Sequence, residues 1–292
     1  MEKFLTTKEV AKLLNINEKK VYYLAQEGII PATKVTGKWL FPEDELIDFL
    51  KFNALKNIKK GIASTLLEKN VLIGAGSDDP ILTKIFSEFY TKTNINIFYT
   101  TVGSENGIEL LKNRISHFSL SHIYDEKEKD FNFPYLKKNY PENEYAIINF
   151  FKRDIGIISK FKINSIEEIY GKTFILRQKG SGIRIFTDTL FNSGKLNKEK
   201  LNFYKDEVTT HFEVANLVNE KDNYVGIATY SVAKIFGLNF YKLFDERFDL
   251  ITLKEYFFTK TFQNLYSFIN FFFSTLKING YDFSSSGQII AE

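Results

Sequence analysis

The sequence predicts an α/β protein in two parts: a small, mostly helical N-terminal module and a larger domain of alternating strands and helices. Three observations carry that expectation. The first sixty residues show two short helical periods, a hairpin pattern and a third helical period. From about residue 70 onward, strand-length apolar runs alternate with helix-length amphipathic runs, the pattern of a sheet covered on both faces. Several of those strands end in Gly/Ser turns that lead into a helix. A chain of 292 residues with 44% apolar side chains has the length and the core material for both parts.

In the N-terminal stretch "FLTTKEVAKLLNINEKKVYYLAQEGIIPATKVTGKWLFPEDELIDFLKF", Thr6 or Thr7 caps a helix whose apolar face is Val10, Ala11, Leu13 and Leu14. "NIN" is a tight turn, and Asn17 caps a second helix that ends at Gly28. "IIPATKVTGKWLF" reads as a two-stranded hairpin turning at Thr36-Gly37. Pro42 opens a third helix, with acids in its first turn where the dipole favours them. Residues 53–68 read as a linker helix containing one glycine, and a homodimer through that helix is left open.

Helix, turn, helix, wing and helix make the winged helix-turn-helix plan. The run "LTTKEVAKLLNINEKKVYYLAQEGIIPATKVTGKWLFPEDEL" closely resembles the excisionase and MerR-type DNA-binding domains. That resemblance assigns residues 1–52 to DNA binding, with the helix from Asn17 to Glu27 in the major groove of duplex DNA. It implies that Lys19, Lys20, Tyr22 and Tyr23 are contact residues and that Lys34 and Lys38 of the wing touch phosphates. Neighbours on a helix point about 100° apart, so one of the two tyrosines is expected to face the core. The charge agrees: residues 1–60 hold eleven lysines and eight acids, the whole of the net +3, and the rest of the chain is neutral.

Composition narrows the function classes. With no cysteine, disulfides, thiolate metal sites and cysteine nucleophiles are excluded. The start "MEKFLTTKEV" lacks the pattern of a signal peptide, and "LYSFINFFFSTL" is too short and polar to span a bilayer. A soluble, cytoplasmic protein with no membrane partner is expected. No "GxSxG", "HExxH" or "GxxxxGK[ST]" occurs, and "GAGSDD" matches a dinucleotide fingerprint only in part, so the chain is not expected to be an enzyme.

In the larger domain, "VLIGA", "INIFYTTV", "FSLSHIYD", "FFKRDIGIIS", "KTFILRQ", "LNFYKDEV", "YVGIAT" and "FDLITLKEY" read as strands of a mainly parallel sheet. Ligands of such sheets bind beyond the carboxyl ends of the strands, where Gly76-Ser77, Gly103-Ser104 and Gly180-Ser181-Gly182 stand. Free N–H groups at a helix start suit an anion.

The blocks "VLIGAGSDDPIL", "VGSENGIELLKNRISHFSLSHIYD", "LRQKGSGIRIFTDTLF", "TTHFEVANLV", "GIATYSVAKIFGLNFYKLFDERFDLI" and "GYDFSSSGQI" resemble, in this order, the periplasmic-binding-protein-like domain of cytoplasmic regulators related to molybdate- and tungstate-binding proteins. The resemblance implies a two-lobed type II periplasmic-binding-protein-like fold over 69–292. Lobe one is expected at about 70–148 plus the C-terminal tail, and lobe two at about 150–245. It implies a one-component DNA-binding transcriptional regulator that needs no cofactor and senses a small anionic ligand in the interlobe cleft, with tungstate or molybdate as the favoured oxyanion. Ser77, Ser104, Ser181, Gly182 and Thr210 are placed to bind it, with His122, Arg177, Arg184 and His211 adding charge. Arg177 is also placed to pair with a carboxylate of the other lobe. Arg184, in the first turn of its helix, opposes the dipole unless an anion or an acid is near. Asp78 and Asp79 are expected to cap the helix from Pro80, since facing the cleft they would repel a dianion. Ile183 stands where the family usually has Thr, which removes one hydroxyl from the turn. An organic anion or a molybdenum-cofactor-related compound is the alternative ligand, and a lobe pair used only for assembly is the alternative role.

Overall fold

The computed structural model describes residues 3–35, 37–141 and 144–291, and the chain divides into two compact units, Met1–Ile62 and Ala63–Glu292. In the first unit, β1 (Phe4–Thr6) leads into α1 (Thr7–Leu14) and α2 (Glu18–Gln26), then β2 (Thr33–Val35), β3 (Lys38–Pro42) and α3 (Glu43–Glu68). Thr6 caps α1 through a reciprocal capping box with Glu9, and Asn17 accepts the Lys20 N–H at 2.8 Å to cap α2. Leu5, Val10, Ala11, Val21, Ala25, Ile30, Phe41 and Leu46 form the core between these elements.

Two details depart from the sequence reading, and one expectation falls partly outside the described residues. The wing gains a third strand, because β1 pairs antiparallel with β3. The expected turn at Thr36-Gly37 lies partly outside the described residues: Gly37 has φ +83°, and Thr36 is not described. The stretch expected as a separate linker at 53–68 is the second part of one 26-residue helix, α3. No proline interrupts it, and a single glycine lowers helix propensity by only ~1 kcal/mol.

The larger unit follows as β4 (Val71–Gly76), α4 (Leu82–Thr93), β5 (Asn96–Thr101), α5 (Ser104–Lys112), β6 (Phe118–Ser121), β7 (Tyr124–Asp125), β8 (Asp130–Phe131) and α6 (Phe133–Asn139). Then come β9 (Tyr145–Ser159), β10 (Thr173–Ile175), α7 (Gly182–Asn192), β11 (Asn202–Phe203), α8 (His211–Glu220), β12 (Tyr224–Thr229), α9 (Tyr230–Ile235) and β13 (Asn239–Leu253). The chain closes with α10 (Lys254–Phe257), α11 (Lys260–Phe273), β14 (Tyr281–Asp282) and β15 (Ile289–Ala291).

The main sheet runs in the order β11-β10-β12-β9-β13-β6-β4-β5, with β14 and β15 also paired to β9. Its outer strands are parallel, β4 with β5 and β6, and β10 with β11 and β12. Its middle is antiparallel, which corrects the mainly parallel sheet expected from the sequence. The 15-residue strands β9 and β13 pair along their whole length and pass from one core to the other.

Two cores make the two lobes. Lobe one packs Leu72, Ile85, Phe89, Ile108, Phe118, Phe151, Phe248 and Phe262 around β4–β6 and the adjoining ends of β9 and β13. Lobe two buries Ile155, Ile157, Phe174, Ile183 and Val225 on one face of its strands and Ile158, Val214, Val218 and Val232 on the other. Between them lies the pair Arg153↔Glu246, with register shifts on either side at Lys242/Phe244 and Phe248/Asp249. Such irregularities let a strand bend. The fold is thus the two-lobed α/β arrangement expected, with a crossing ribbon beneath a cleft.

Candidate functional site

Strand β4 ends at Gly76, and the next residues, Ser77 to Asp79, enter the cleft. Ser77 and Ser104, the latter opening α5, are both buried and their hydroxyls lie 2.7 Å apart. Ser104 Oγ also accepts the His122 N–H at 3.3 Å. Lobe two presents the starts of α7 and α8. Ser181 caps α7 by accepting the Arg184 N–H, and Thr210 caps α8 by accepting the Glu213 N–H. Gly182 opens α7 directly against His122: a Cβ there would meet the ring at 2.3 Å, so only glycine lets the surfaces approach. The Glu105 N–H of lobe one donates to the Gly180 carbonyl at 3.3 Å. The structure therefore brings Ser77, Ser104, His122, Arg177, Gly182 and His211 together, with Ser181 and Thr210 at the adjoining helix starts.

Arg184 does not join them. Its guanidinium is engaged by Asp188, four residues on, and by Glu207, and it also donates to the Arg177 carbonyl at 3.0 Å. Those acids resolve the misfit with the helix dipole. Burial works against the Arg184 charge, but Glu207 and Asp188 more than compensate and raise its pKa.

One residue that the sequence reading placed outside the cleft is Asp78. Expected to cap a helix, it instead faces lobe two. Its Oδ1 accepts from Arg177 Nη2 at 3.0 Å, and its Oδ2 accepts the His211 backbone N–H, at the start of α8, at 3.2 Å. Burial alone would raise its pKa, yet Arg177, His211 and Arg153 hold it well below the ordinary carboxylate range. Asp79 accepts the Ile81 N–H at 2.9 Å in the turn ahead of α4, but that helix begins at Leu82 rather than Pro80 and no side chain caps it, so neither aspartate is the helix cap expected from the sequence.

Beneath the cleft lies a second network. Arg153, fully buried, donates to Asp79 Oδ2 at 2.6 Å, to Glu246 Oε2 at 2.6 Å and to the Asp78 carbonyl at 3.0 Å. Tyr281 donates to Asp79 at 2.7 Å, and His122 Nδ1 sits 2.6 Å from Glu246 Oε1. Arg153, Glu246, Asp79 and Tyr281 were not anticipated as site residues. The available signal was an arginine and a glutamate set in the apolar runs "FFKRDIGII" and "DERFDLI".

Burial draws His211 well below its ordinary pKa against the pull of Asp78, and draws His122 down against Glu246. Burial also pushes Asp79 up, with Arg153 opposing. Several buried nitrogens stay unpartnered: Nε and Nη1 of Arg177, Nη2 of Arg153 and both ring nitrogens of His211. Hollows of about 410 Å³ beside Tyr140 and about 390 Å³ beside Phe244 open elsewhere on the surface, and no cleft residue lines them. Among the described residues no cluster of His, Asp and Glu suits a metal ion, and no helix is long and apolar enough to cross a membrane.

In the first unit Lys19, Lys20, Lys34 and Lys38 are all exposed. Tyr22 and Tyr23 are 46% and 49% exposed, so neither faces the core, as one of them was expected to; Val21 and Ala25 fill that role. The Lys20 ammonium lies over the Tyr23 ring at 4.5 Å, and that of Lys34 lies 5.8 Å from the Trp39 ring.

Comparison with known proteins agrees with the fold. The chain is 25% identical to the uncharacterized protein YvgK of Bacillus subtilis (strain 168), over 98% of this chain and 97% of that one. Its fold is similar to the regulatory domain of CcmR from Synechocystis PCC6803 in complex with 2-PG (TM-score 0.54, 12% identity, 68% of this chain and 94% of that chain). It is similar as well to the tungstate ABC transporter structure from Geobacter sulfurreducens (TM-score 0.51, 12% identity, 68% and 93%). A helix-turn-helix domain model matches residues 4–54, so a DNA-binding domain precedes the two-lobed one. The model of the PBP superfamily domain matches residues 87–270, more than half of the chain, and the protein belongs to that superfamily.

Proposed function

We propose that this protein is a one-component transcriptional regulator whose N-terminal module binds duplex DNA and whose interlobe cleft takes a small anion. The observation that carries the ligand half is the cluster of buried, unpartnered nitrogens on Arg177 and His211 at the start of α8. Unpartnered donors at a helix N-terminus are costly without an acceptor and suit an oxyanion. Tungstate or molybdate is the leading ligand, in keeping with the similarity to the tungstate-transporter fold, and an organic or phosphorylated anion is the alternative. Ser77, Ser104, Ser181, Gly182, Thr210 and His122 complete the proposed ligand set. The protein works in the cytoplasm, on DNA, and catalyses no reaction.

A homodimer fits the same reading. Phe52, Leu55, Ile58 and Ile62 of α3 are each more than half exposed and fall on one helical stripe, a surface suited to a second copy of the helix.

The test is a thermal-shift panel on the full chain with tungstate, molybdate, phosphate and sulfate, alongside DNA-binding titrations at several salt concentrations. Ligand at about 100 times its Kd adds roughly 2.7 kcal/mol to stability. If no anion raises the Tm, the sensing role fails. If the chain shows no affinity for DNA even at low salt, the regulator role fails.

A further inference from the structure

The cleft already contains an anion, and it belongs to the protein. Asp78 comes from lobe one, yet the three donors that hold it are on lobe two or in the crossing ribbon. Arg177 Nη2 is 3.0 Å from Oδ1, the His211 N–H at the head of α8 is 3.2 Å from Oδ2, and Arg153 Nη1 holds the Asp78 carbonyl at 3.0 Å. Arg177 is itself fixed by a 2.6 Å bond to the Thr209 carbonyl, so the pair is aimed rather than loosely formed. Around it the lobes touch tightly, Gly182 against His122 and Gly103 against Gly180, where an added Cβ would lie 3.4 Å from the carbonyl.

Resting on the reading of the cleft as an anion seat, we infer that Asp78 is a built-in occupant of that seat: a tethered carboxylate that holds the lobes closed without ligand and must be displaced before a ligand anion is bound. The charges agree. The cleft sets two guanidiniums, Arg153 and Arg177, against three carboxylates, Asp78, Asp79 and Glu246. With the imidazoles neutral, the cleft carries one net negative charge while Asp78 stays in place and none once it leaves, so displacing it removes a repulsion from an arriving dianion. Once Asp78 swings out, its partners are free for a stronger acceptor.

A tethered group competes at an effective concentration of about millimolar or more, so a weak monocarboxylate loses and a dianionic oxyanion wins. Asp78 thereby sets a threshold on ligand charge. Closure alone would not report ligand; what changes on binding is whose charge sits at α8. A ligand shifts the arrangement only through such a difference in contacts.

The experiment uses the full chain, which has no cysteine of its own. Labels at Lys84→Cys in lobe one and Glu199→Cys in lobe two, both exposed, report the lobe separation by spin-label distance measurement. In anion-free buffer the otherwise native chain is expected to show a short distance, and Asp78→Ala a longer and broader one. Asp78→Asn, which keeps the shape and removes the charge, is expected to resemble Asp78→Ala, and near-native circular dichroism of both confirms that they fold. Tungstate or phosphate is expected to restore the short distance in both variants, at a concentration at least tenfold below that which raises the Tm of the native chain, while acetate does nothing to the native chain. The proposal is overturned if the native chain is as open as Asp78→Ala without anion, or if Asp78→Ala stays closed. If neither anion binds any form, the anion-seat reading falls, while the distances still decide whether Asp78 is a latch.

Discussion

Gly182→Ala tests whether the contact between α7 and His122 limits closure. The added Cβ would lie 2.3 Å from Nδ1, 2.4 Å from Cε1 and 2.9 Å from Cγ of His122, against an ordinary separation of about 3.5–4.0 Å. One surface must retreat by more than about 1 Å. The ring has little room: it is buried, its Nδ1 is 2.6 Å from Glu246, and it stacks on Phe248 at 5.4 Å. Glu246 is in turn held by Arg153 at 2.6 Å. Overpacking of this kind costs about 1–3 kcal/mol. The lobes are joined by a two-stranded ribbon, so the strain falls on the closure equilibrium rather than on either core. At 1.4 kcal/mol per tenfold, the closed population relative to the open one drops roughly 5- to 150-fold. The lobe-distance assay should show an opened cleft, apparent anion affinity should fall by the same factor, and the Tm without ligand should move little. Loss of Tm with the cleft still closed would show that His122 yields instead. No change in distance, affinity or Tm would refute the close approach itself.

Three further outcomes are expected. Lys19→Ala with Lys20→Ala should weaken DNA binding by the full chain and lower the salt slope by about 2, at about 0.9 per lost phosphate contact, with the anion-induced Tm shift unchanged; an unchanged slope would remove these lysines from the interface. Leu55→Glu with Ile62→Glu should give a monomer by sedimentation where the parent chain is a dimer, and a dimer that survives both charges would place the interface elsewhere. Burial holds all three histidines below their ordinary pKa, so the unfolded chain takes up protons that the native one refuses: stability is full above about pH 6.5 and is lost as pH falls below it, by up to about 1.4 kcal/mol per pH unit for each. His117 shows why, since its Nδ1 accepts the Ile73 N–H at 2.8 Å and a proton there removes the acceptor; urea midpoints that stay flat from pH 7.5 to about 5.5 would contradict the assignment.

What was legible in the sequence was what is decided locally. Thr6 and Asn17 cap their helices through bonds spanning three residues, and such bonds leave a pattern within one turn. The order of strands and helices in the larger unit was legible for the same reason. The antiparallel ribbon was not, because β9 pairs with a strand about a hundred residues away, from Tyr145↔Leu253 to Ser159↔Asn239. An apolar run looks alike whichever way its partner runs. The linker helix expected at 53–68 is helical but continuous with the residues before it, and Ala63 and Leu67, beyond Gly61, are buried in the core of lobe one.

The cleft shows the same boundary between near and distant partners. Asp78 and Asp79 are adjacent acids after the same strand, and the sequence suggests one task for both. Neither caps α4: Asp79 bonds the turn two residues ahead and the buried Arg153 and Tyr281, whereas Asp78 finds partners 99 and 133 residues away. Nothing in "GSDDP" distinguishes them, since the direction of a side chain leaving a strand depends on the backbone of the turn and on what the other lobe presents. Arg184 teaches the converse. Its place in the first turn of α7 required a negative charge nearby, and one was there, but it was Glu207 and Asp188 rather than a ligand. An electrostatic misfit in a sequence therefore implies a partner without saying whether the partner is foreign or built in. At α8 that question has physical content, because the built-in partner and a ligand would occupy the same place. Asp78→Ala separates the two by taking away only the one the protein supplies.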